Sequence, residues 1–289
     1  MPGGFFINYY GRDTILFPTF EIFGRTVGTY ALSSIIGLLV CGFVACRLGR
    51  RFQISPEDII LLMVVAGVGI LLGGHLLYGL TNLPLVLRIL RAGKPFLITL
   101  KALAVCFGGS VFYGGLFGSL LAARWMTHPQ KSPDGAVRYD LYALCIPLFH
   151  TFGRIGCFFG GCCYGIESRF GLIVYHNDLS PGLCGVRRFP VSLLEAACNL
   201  LIFFFLLSLF RKNRHSGRLI RYYLLCYAPV RFGTEFLRGD AVRGIWFGLS
   251  TSQWISLIAF PVALFLILRE NKRLSGKTEP GTPVPPGQE

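Results

Sequence analysis

Charge is what this sequence has least of. Only 15% of its 289 residues are Asp, Glu, Lys or Arg, against about 25% in an average soluble domain. Acids are scarcer than bases, 14 against 28 Lys and Arg, which leaves a net charge of +14. Hydrophobic residues make up 53%, and the mean hydropathy is +0.58. That balance excludes a disordered protein, a coiled coil and a small disulfide scaffold. Apolar stretches of about 20 residues, the length that spans a bilayer, argue against an ordinary soluble enzyme. The Lys and Arg lie mostly between these stretches. They read as topology signals and as attraction to anionic headgroups, not as a nucleic-acid surface. The chain also lacks a basic leader followed by a short apolar core. Its first apolar stretch starts near Thr26, after Asp13 and Glu21, so no cleavable signal peptide is expected.

Ten cysteines are present, but Cys41, Cys46, Cys106, Cys145, Cys198 and Cys226 sit inside apolar stretches. A free thiol there behaves as a small hydrophobe. Only Cys157, Cys162 and Cys163 cluster in the sequence.

The pattern predicts an all-α polytopic membrane protein with about seven transmembrane helices, some broken or Gly-rich, plus a periplasmic-side loop region. The spans are about 26–46, 59–80, 103–123, 141–165, 191–210, 219–237 and 245–268. The fourth and sixth are less apolar and carry charge with Gly or Pro, so both are expected to face the protein interior. Loops 47–58, 124–140, 211–221 and the tail from 269 hold 15 Lys and Arg in 61 positions, against 11 in 79 for the other loops. The richer set is expected in the cytoplasm, with the N-terminus outside. A single transmembrane domain over 1–272 is followed by a tail, 273–289, that is Gly/Pro-rich and expected to be disordered cytoplasmic chain.

Several charges fall within these spans, although a central Arg, Lys or Asp costs about 2.5–3.5 kcal/mol on insertion scales. They are His75, His150, Arg154, Glu195, Arg231 and Glu235. Arg231 and Glu235 are four apart and share a helix face. With Tyr227 and Arg238 they align a phenol, two guanidiniums and a carboxylate. The pattern suits either a self-neutralising ion pair or an anion site in which Glu235 holds Arg231. Arg fits phosphate because its planar fork donates two parallel hydrogen bonds.

The densest segment is 149–165, where Gly153, Gly156, Gly160, Gly161 and Gly165 surround Arg154. Small residues let helices or a lipid headgroup approach the backbone. A buried Arg in such a run suggests a site for a lipid-borne phosphate. Two further Gly clusters are 108–118, which contains Tyr113, and 73–78, which contains His75.

These motifs together resemble the prolipoprotein diacylglyceryl transferases. That family's Gly-Arg-x-Gly-Asn-Phe-x-Asn-Gly-Glu-x-x-Gly signature is similar to the run from Gly153 to Gly165. Its Tyr-x-x-x-Arg-x-x-x-Glu-x-x-Arg motif is matched by Tyr227, Arg231, Glu235 and Arg238. Thr29-Tyr30-Ala31, the run from Phe112 to Gly118 and the run from Pro190 to Glu195 resemble three more of its motifs, in order, between about 20 and 270. Several positions depart. Tyr113 stands for the family histidine, Cys157 for an Asn, Cys162 for a Glu and His75 for the Arg of a Gly-Gly-Arg motif.

The resemblance implies a bacterial plasma-membrane enzyme. It would transfer the diacylglyceryl group of phosphatidylglycerol to the lipobox cysteine of prolipoprotein signal peptides, releasing glycerol phosphate. No cofactor and no metal are implied. On this reading Arg154, Arg231, Glu235 and Tyr113 carry the chemistry. Tyr30, Tyr227, Gly153, Gly156, Gly165, Arg238 and Glu195 bind substrate, and His75, Cys157 and Cys162 are further candidates. A phenol is ionised only about 0.1% at pH 7, so the identity of the base stays open. The cysteine cluster reads first as small side chains in a tight segment, then as a thiol relay. A metal site comes last, because vicinal cysteines rarely supply two ligands to one tetrahedral ion and only His150 offers a fourth. A membrane thiol oxidoreductase and a non-catalytic anionic-lipid binder are the alternatives.

Overall fold

The computed structural model describes residues 19–22, 25–109, 111–128, 134–173, 184–212, 217–240 and 245–275. Helices dominate. They are α1 (Thr29–Gly49), α2 (Pro56–Thr81), α3 (Leu83–Arg91), α4 (Phe96–Cys106), α5 (Phe112–Met126), α6 (Gly135–Phe159), α7 (Val191–Arg211), α8 (Leu219–Glu235) and α9 (Thr251–Ser275). Three short antiparallel pairs complete the described residues: β1 (Thr19–Ile22) with β2 (Arg25–Gly28), β3 (Glu167–Ile173) with β4 (Arg187–Arg188), and β5 (Ile245–Trp246) with β6 (Leu249–Ser250). The chain is thus an all-α membrane protein.

Among the described residues, five segments are long and apolar enough to cross a bilayer: Thr29–Phe52, Pro56–Thr81, Gly135–Phe159, Val191–Arg211 and Thr251–Lys272. Their outward faces are apolar, as Phe43, Leu72, Leu201 and Ile258 illustrate, while Asp140, Glu195, Asn199 and Gln253 are buried. This is the arrangement a hydrocarbon solvent demands. Half of the apolar window of α6 is buried, the largest share of the five, in line with an interior-facing fourth span.

The third and sixth expected spans are shorter than drawn. The third is not one helix: α4 ends at Cys106 and α5 begins at Phe112, with Gly108 and Gly109 between them. The sixth ends at Glu235, and the fourth at Phe159. The seventh starts only at Thr251, because 245–250 form a hairpin instead. Its two loop residues, Phe247 (φ 49°) and Gly248 (φ 78°), both take the left-handed backbone that a tight hairpin turn requires. Ser250 then caps α9. Its Oγ accepts from Gln253 N at 3.3 Å, and Gln253 Oε1 accepts from Ser250 N at 2.9 Å, a reciprocal capping box. At its other end α9 runs to Ser275, three residues into the expected tail. Residues 276–289 lie outside the described set.

Two compact units make up the fold, with the division falling inside α1, α6 and α7 and after the first residue of α8. One unit comprises 34–149 and 207–219. Its centre is the pairing of α2 with α5. Gly69 and Gly73 face Gly114 and Gly118 so closely that a Cβ on Gly73 would overlap the Gly114 carbonyl oxygen. Two small-xxx-small stripes let the backbones meet, the usual way to gain packing energy where lipid offers no hydrophobic drive. The break between α4 and α5 is satisfied from α2. His75 Nδ1 lies 2.9 Å from Phe107 O and 2.7 Å from Gly109 O, so it carries the proton and donates to both. Val111 N donates to Gly74 O at 3.1 Å. Asp140, fully buried, accepts from the backbone N–H of Gly217 and Leu219 at 3.0 and 2.9 Å. Its charge thereby sits at the positive end of α8.

The other unit comprises the described residues up to Ser33, then 150–206 and those from 220 onward. Here α1 enters against α6. Ser33 Oγ donates to Phe152 O at 2.6 Å, and Gly156 is the point where a Cβ would crowd Tyr30 Cα and Ser33 Cβ.

The α2–α5 contact yields a test. Gly73→Ala should lower stability by about 1–3 kcal/mol through overpacking. Gly67→Ala, where nothing lies within 4 Å, should be neutral or stabilising, because Ala is the better helix former. Thermal unfolding in detergent micelles compares them, and equal midpoints would contradict the close approach.

Candidate active site

The site is built on α6 from His150, on α7 up to Leu206, on α8 from Ile220 and on the start of α9, the parts that lie in the second unit. Its hub is Glu195 on α7, only 1% exposed. One carboxylate oxygen meets Arg154 Nε of α6 at 2.5 Å, and the other meets Arg231 Nη1 of α8 at 2.7 Å. Thr234 Oγ1 also donates to that second oxygen, at 3.1 Å. Arg231 reaches further with Nη2, to Glu235 Oε2 at 2.7 Å and to Ser252 Oγ at 3.0 Å. Two guanidiniums and two carboxylates therefore meet in one buried cluster whose formal charges cancel.

Aromatic groups stand beside it. Tyr223 and Tyr227 stack with ring centroids 5.4 Å apart, and His150 lies 5.0 Å from the Tyr227 ring. His150 Nε2 accepts from Arg154 Nε at 3.3 Å and lies 3.5 Å from the Tyr227 hydroxyl, while Nδ1 lies 3.4 Å from the Tyr223 hydroxyl. An imidazole accepting a guanidinium proton bond through Nε2 has a lone pair there, so this ring is neutral.

Below α6 the chain turns sharply. Gly161 has φ 67° and Cys163 φ 54°. The strand-like segment that follows is laced to the end of α8. Ile166 N donates to Leu237 O at 2.9 Å, and Gly239 N donates to Tyr164 O at 3.0 Å. Gly165 pairs with Arg238 in an antiparallel bridge, and a Cβ on Gly165 would overlap the Phe189 carbonyl oxygen.

Of the residues singled out in the sequence, Arg154, Arg231, Glu235, Glu195 and Tyr227 come together. Gly156 serves the approach of α1, and Gly165 serves the bridge. Nothing lies within 4 Å of the position a Gly153 Cβ would occupy. Tyr30 sits at the first turn of α1 with its side chain 51% exposed.

Arg238 departs from expectation. It lies beyond the end of α8, so it does not continue the Arg231–Glu235 face. It forms a two-point pair with Asp240, at 2.9 Å from Nε and 2.5 Å from Nη2. Burial works against its charge, but the Asp240 hydrogen bonds outweigh this and hold its pKa above the ordinary arginine value. His75 serves the α4–α5 break. Tyr113, half-buried on α5, belongs with His75 to the other unit. Sequence reasoning marked His150 as an in-span charge without giving it a role in the transfer, underrated Glu195 and passed over Tyr223, Thr234 and Ser252. The i, i+4 spacings of His150 with Arg154 and of Tyr223 with Tyr227 were the available signals.

These features define a class: a multi-pass helical membrane protein with a buried, charge-balanced pair of arginines. The comparisons narrow it. A family model described as prolipoprotein diacylglyceryl transferase matches residues 18–269. The phosphatidylglycerol–prolipoprotein diacylglyceryl transferase of Clostridium tetani is 30% identical over 249 residues, covering 86% of this chain and 94% of its own. That of Helicobacter hepaticus is 31% identical over 262 residues, 88% of each chain. The one numbered 2 in Clostridium perfringens is 30% identical over 264 residues, 90% of this chain and 97% of its own. The chain belongs to the prolipoprotein diacylglyceryl transferase family.

The shared carboxylate predicts unequal losses. Glu195→Gln removes the charge that faces two guanidiniums and should cost about 3–5 kcal/mol, as breaking a buried pair does. Glu235→Gln faces one and should cost less. Chemical or thermal unfolding of the two variants ranks them, and a milder effect at Glu195 would contradict its place as the hub.

Proposed function

We propose that this chain transfers the diacylglyceryl group of phosphatidylglycerol to the lipobox cysteine of prolipoproteins, with the Arg154–Glu195–Arg231 cluster at the lipid phosphate. The observation that carries the assignment of the site is the single buried carboxylate that orients both guanidiniums. In the reaction the cysteine sulfur attacks the diacylglyceryl carbon. A C–S bond forms, the C–O bond to phosphate breaks, and glycerol phosphate leaves with the bonding pair. Charge grows on the phosphate as that bond breaks, and fixed guanidinium donors offset it. Glu195 engages Nε of Arg154, so the paired Nη groups are the edge that would meet a phosphate.

The thiol must lose its proton, and at a pKa near 8.5 only a few per cent is ionised at neutral pH. Tyr113 is a weak base for this. His150 is the group of the cluster with a neutral imidazole, and it touches Arg154 and Tyr227. We assign it as the proton acceptor. The thiol-oxidoreductase and non-catalytic alternatives have no comparable support.

The membrane is taken to be the bacterial plasma membrane, with the N-terminus outside and the C-terminus cytoplasmic. The Lys/Arg excess of the loops flanking that side supports this orientation. A C-terminal reporter active only in the cytoplasm should give signal, and one active only outside should not. The reverse result would invert the topology.

Purified protein in phosphatidylglycerol vesicles should add a diacylglyceryl mass to the cysteine of a lipobox peptide. Arg231→Ala should abolish the gain. Arg154→Lys should lower the rate by about 10²–10³, since a point charge cannot replace bidentate donors. His150→Gln should cost about 10²–10⁴, and Tyr113→Phe less. No mass gain, alongside an active relative in the same vesicles, would overturn the assignment; full activity in Arg154→Lys would remove Arg154 from the site.

A further inference from the structure

The three cysteines of the turn after α6 play no part in the transfer chemistry above, yet their side chains converge. Sγ of Cys157, Cys162 and Cys163 all lie within 4.8 Å of one another. Cys157 is buried in the last turn of α6, Cys163 is half-buried and Cys162 is exposed, so the cluster opens to the surface on one side. The chain is shaped to bring them together. Cys162 N donates to Cys157 O at 3.2 Å, closing the loop of four residues between these two cysteines. Cys163 takes a left-handed conformation, φ 54°, which costs any residue with a Cβ. Such local strain is a pointer to function where it is held in place, and here Ser192 Oγ holds it, donating to Cys163 O at 2.9 Å. Although vicinal cysteines rarely supply two ligands to one ion, here the sulfurs of Cys162 and Cys163 do converge with that of Cys157.

The spacing discriminates between the uses of three thiols. A metal–sulfur bond of about 2.3 Å puts sulfurs roughly 3.8–4.0 Å apart in a tetrahedral or trigonal set. The observed separations need to close by under about 1 Å. A disulfide needs about 2.05 Å between two sulfurs and leaves the third over. Two ligands separated by four residues also fall within the usual spacing of thiolate metal sites. His150 is not a fourth ligand, because both its ring nitrogens face tyrosines or Arg154.

We propose that Cys157, Cys162 and Cys163 form a three-sulfur site for a thiophilic metal ion, Zn²⁺ or Cu⁺, since soft thiolates select these over hard cations. Binding breaks three S–H bonds, forms three metal–sulfur bonds and releases three protons to solvent. The ion fastens the 157–163 turn, one turn beyond Arg154 on the same helix. This inference does not depend on the transfer reaction.

The full chain in detergent, reduced with a phosphine, would be given Zn²⁺, Co²⁺ or Cu⁺ against a competing chelator. The expected result is one ion retained per chain and a sulfur-to-cobalt charge-transfer band. Cys157, Cys162 and Cys163 should be protected from alkylation while Cys46 stays reactive, as read by peptide mass spectrometry. Retention of Zn²⁺ or of Cu⁺ under equal competition identifies the ion. Cys162→Ala and Cys163→Ala should each weaken binding by more than the roughly 10–100-fold that losing an outer-shell partner costs, and Cys46→Ala should not. Alkylation protection in the unmutated protein keeps the test independent of how the variants fold. No retained ion, equal protection of all cysteines, or a disulfide within the cluster with no metal uptake would overturn the proposal.

Discussion

Everything in the candidate site depends on one carboxylate. Glu195 is buried in the first turns of α7 with two guanidiniums, one against each oxygen. Leaving a buried charge without its partner costs about 3–5 kcal/mol, so neither arginine is tolerable without it. Glu235 completes the balance through Arg231. Replacing a buried ion pair by apolar residues often gains stability, so the worth of such a cluster is not in net energy. Its worth is in position. Glu195 accepts hydrogen bonds from Arg231 and Thr234 and forms an ion pair with Arg154, and these contacts register α6, α7 and α8 within their unit. Ser252 at the head of α9 is tied in through Arg231.

Glycine does in the other unit what charge does in this one. The α2–α5 contact is held by Gly69, Gly73, Gly114 and Gly118, each too close to its neighbour for a Cβ. Such proximity makes the pairing specific without polar groups. It also explains why α5 must start anew at Phe112: the chain between α4 and α5 is closed off by His75 and Gly74 of α2. Irregular backbone inside a membrane protein persists only where protein satisfies its carbonyls and amides, and a histidine can donate one N–H to two carbonyls at once.

Hydropathy made the long helices legible, because length and apolarity are local properties. It could not see the interruption at 107–111 or the hairpin at 245–250, where single residues override an apolar run. The Arg231–Glu235 pair was legible from its spacing of four. The role of Glu195 was not, because its partners lie 41 residues before and 36 after it, and nothing local marks them as partners. Arg238 was misread for a related reason. Its spacing continues the helical face of Glu235, but α8 stops there and Asp240, two residues on, takes the guanidinium. The cysteines were read from adjacency alone, and adjacency says nothing of a left-handed backbone at Cys163.

The charge balance of the cluster bears on how it meets its substrate. Two arginines cancelled by two glutamates exert little net field beyond the cluster, so long-range attraction is not its means of selecting an anion. What remains is direction. Arg154, held through Nε, has its Nη edge in a fixed plane, and two parallel hydrogen bonds to a phosphate demand such a plane. A neutral but oriented pair also binds a resting anion less strongly than a bare cation pair would. Its donors act most where charge is growing, on the oxygens of a departing phosphate, and that differential is what accelerates a reaction. The same logic extends to His150, whose Nε2 accepts from Arg154 Nε. Once the phosphate carries its added charge, the cluster becomes more negative and an imidazolium is better tolerated. Under the proposed assignment, leaving-group departure and proton uptake support each other through the carboxylate-held arginines.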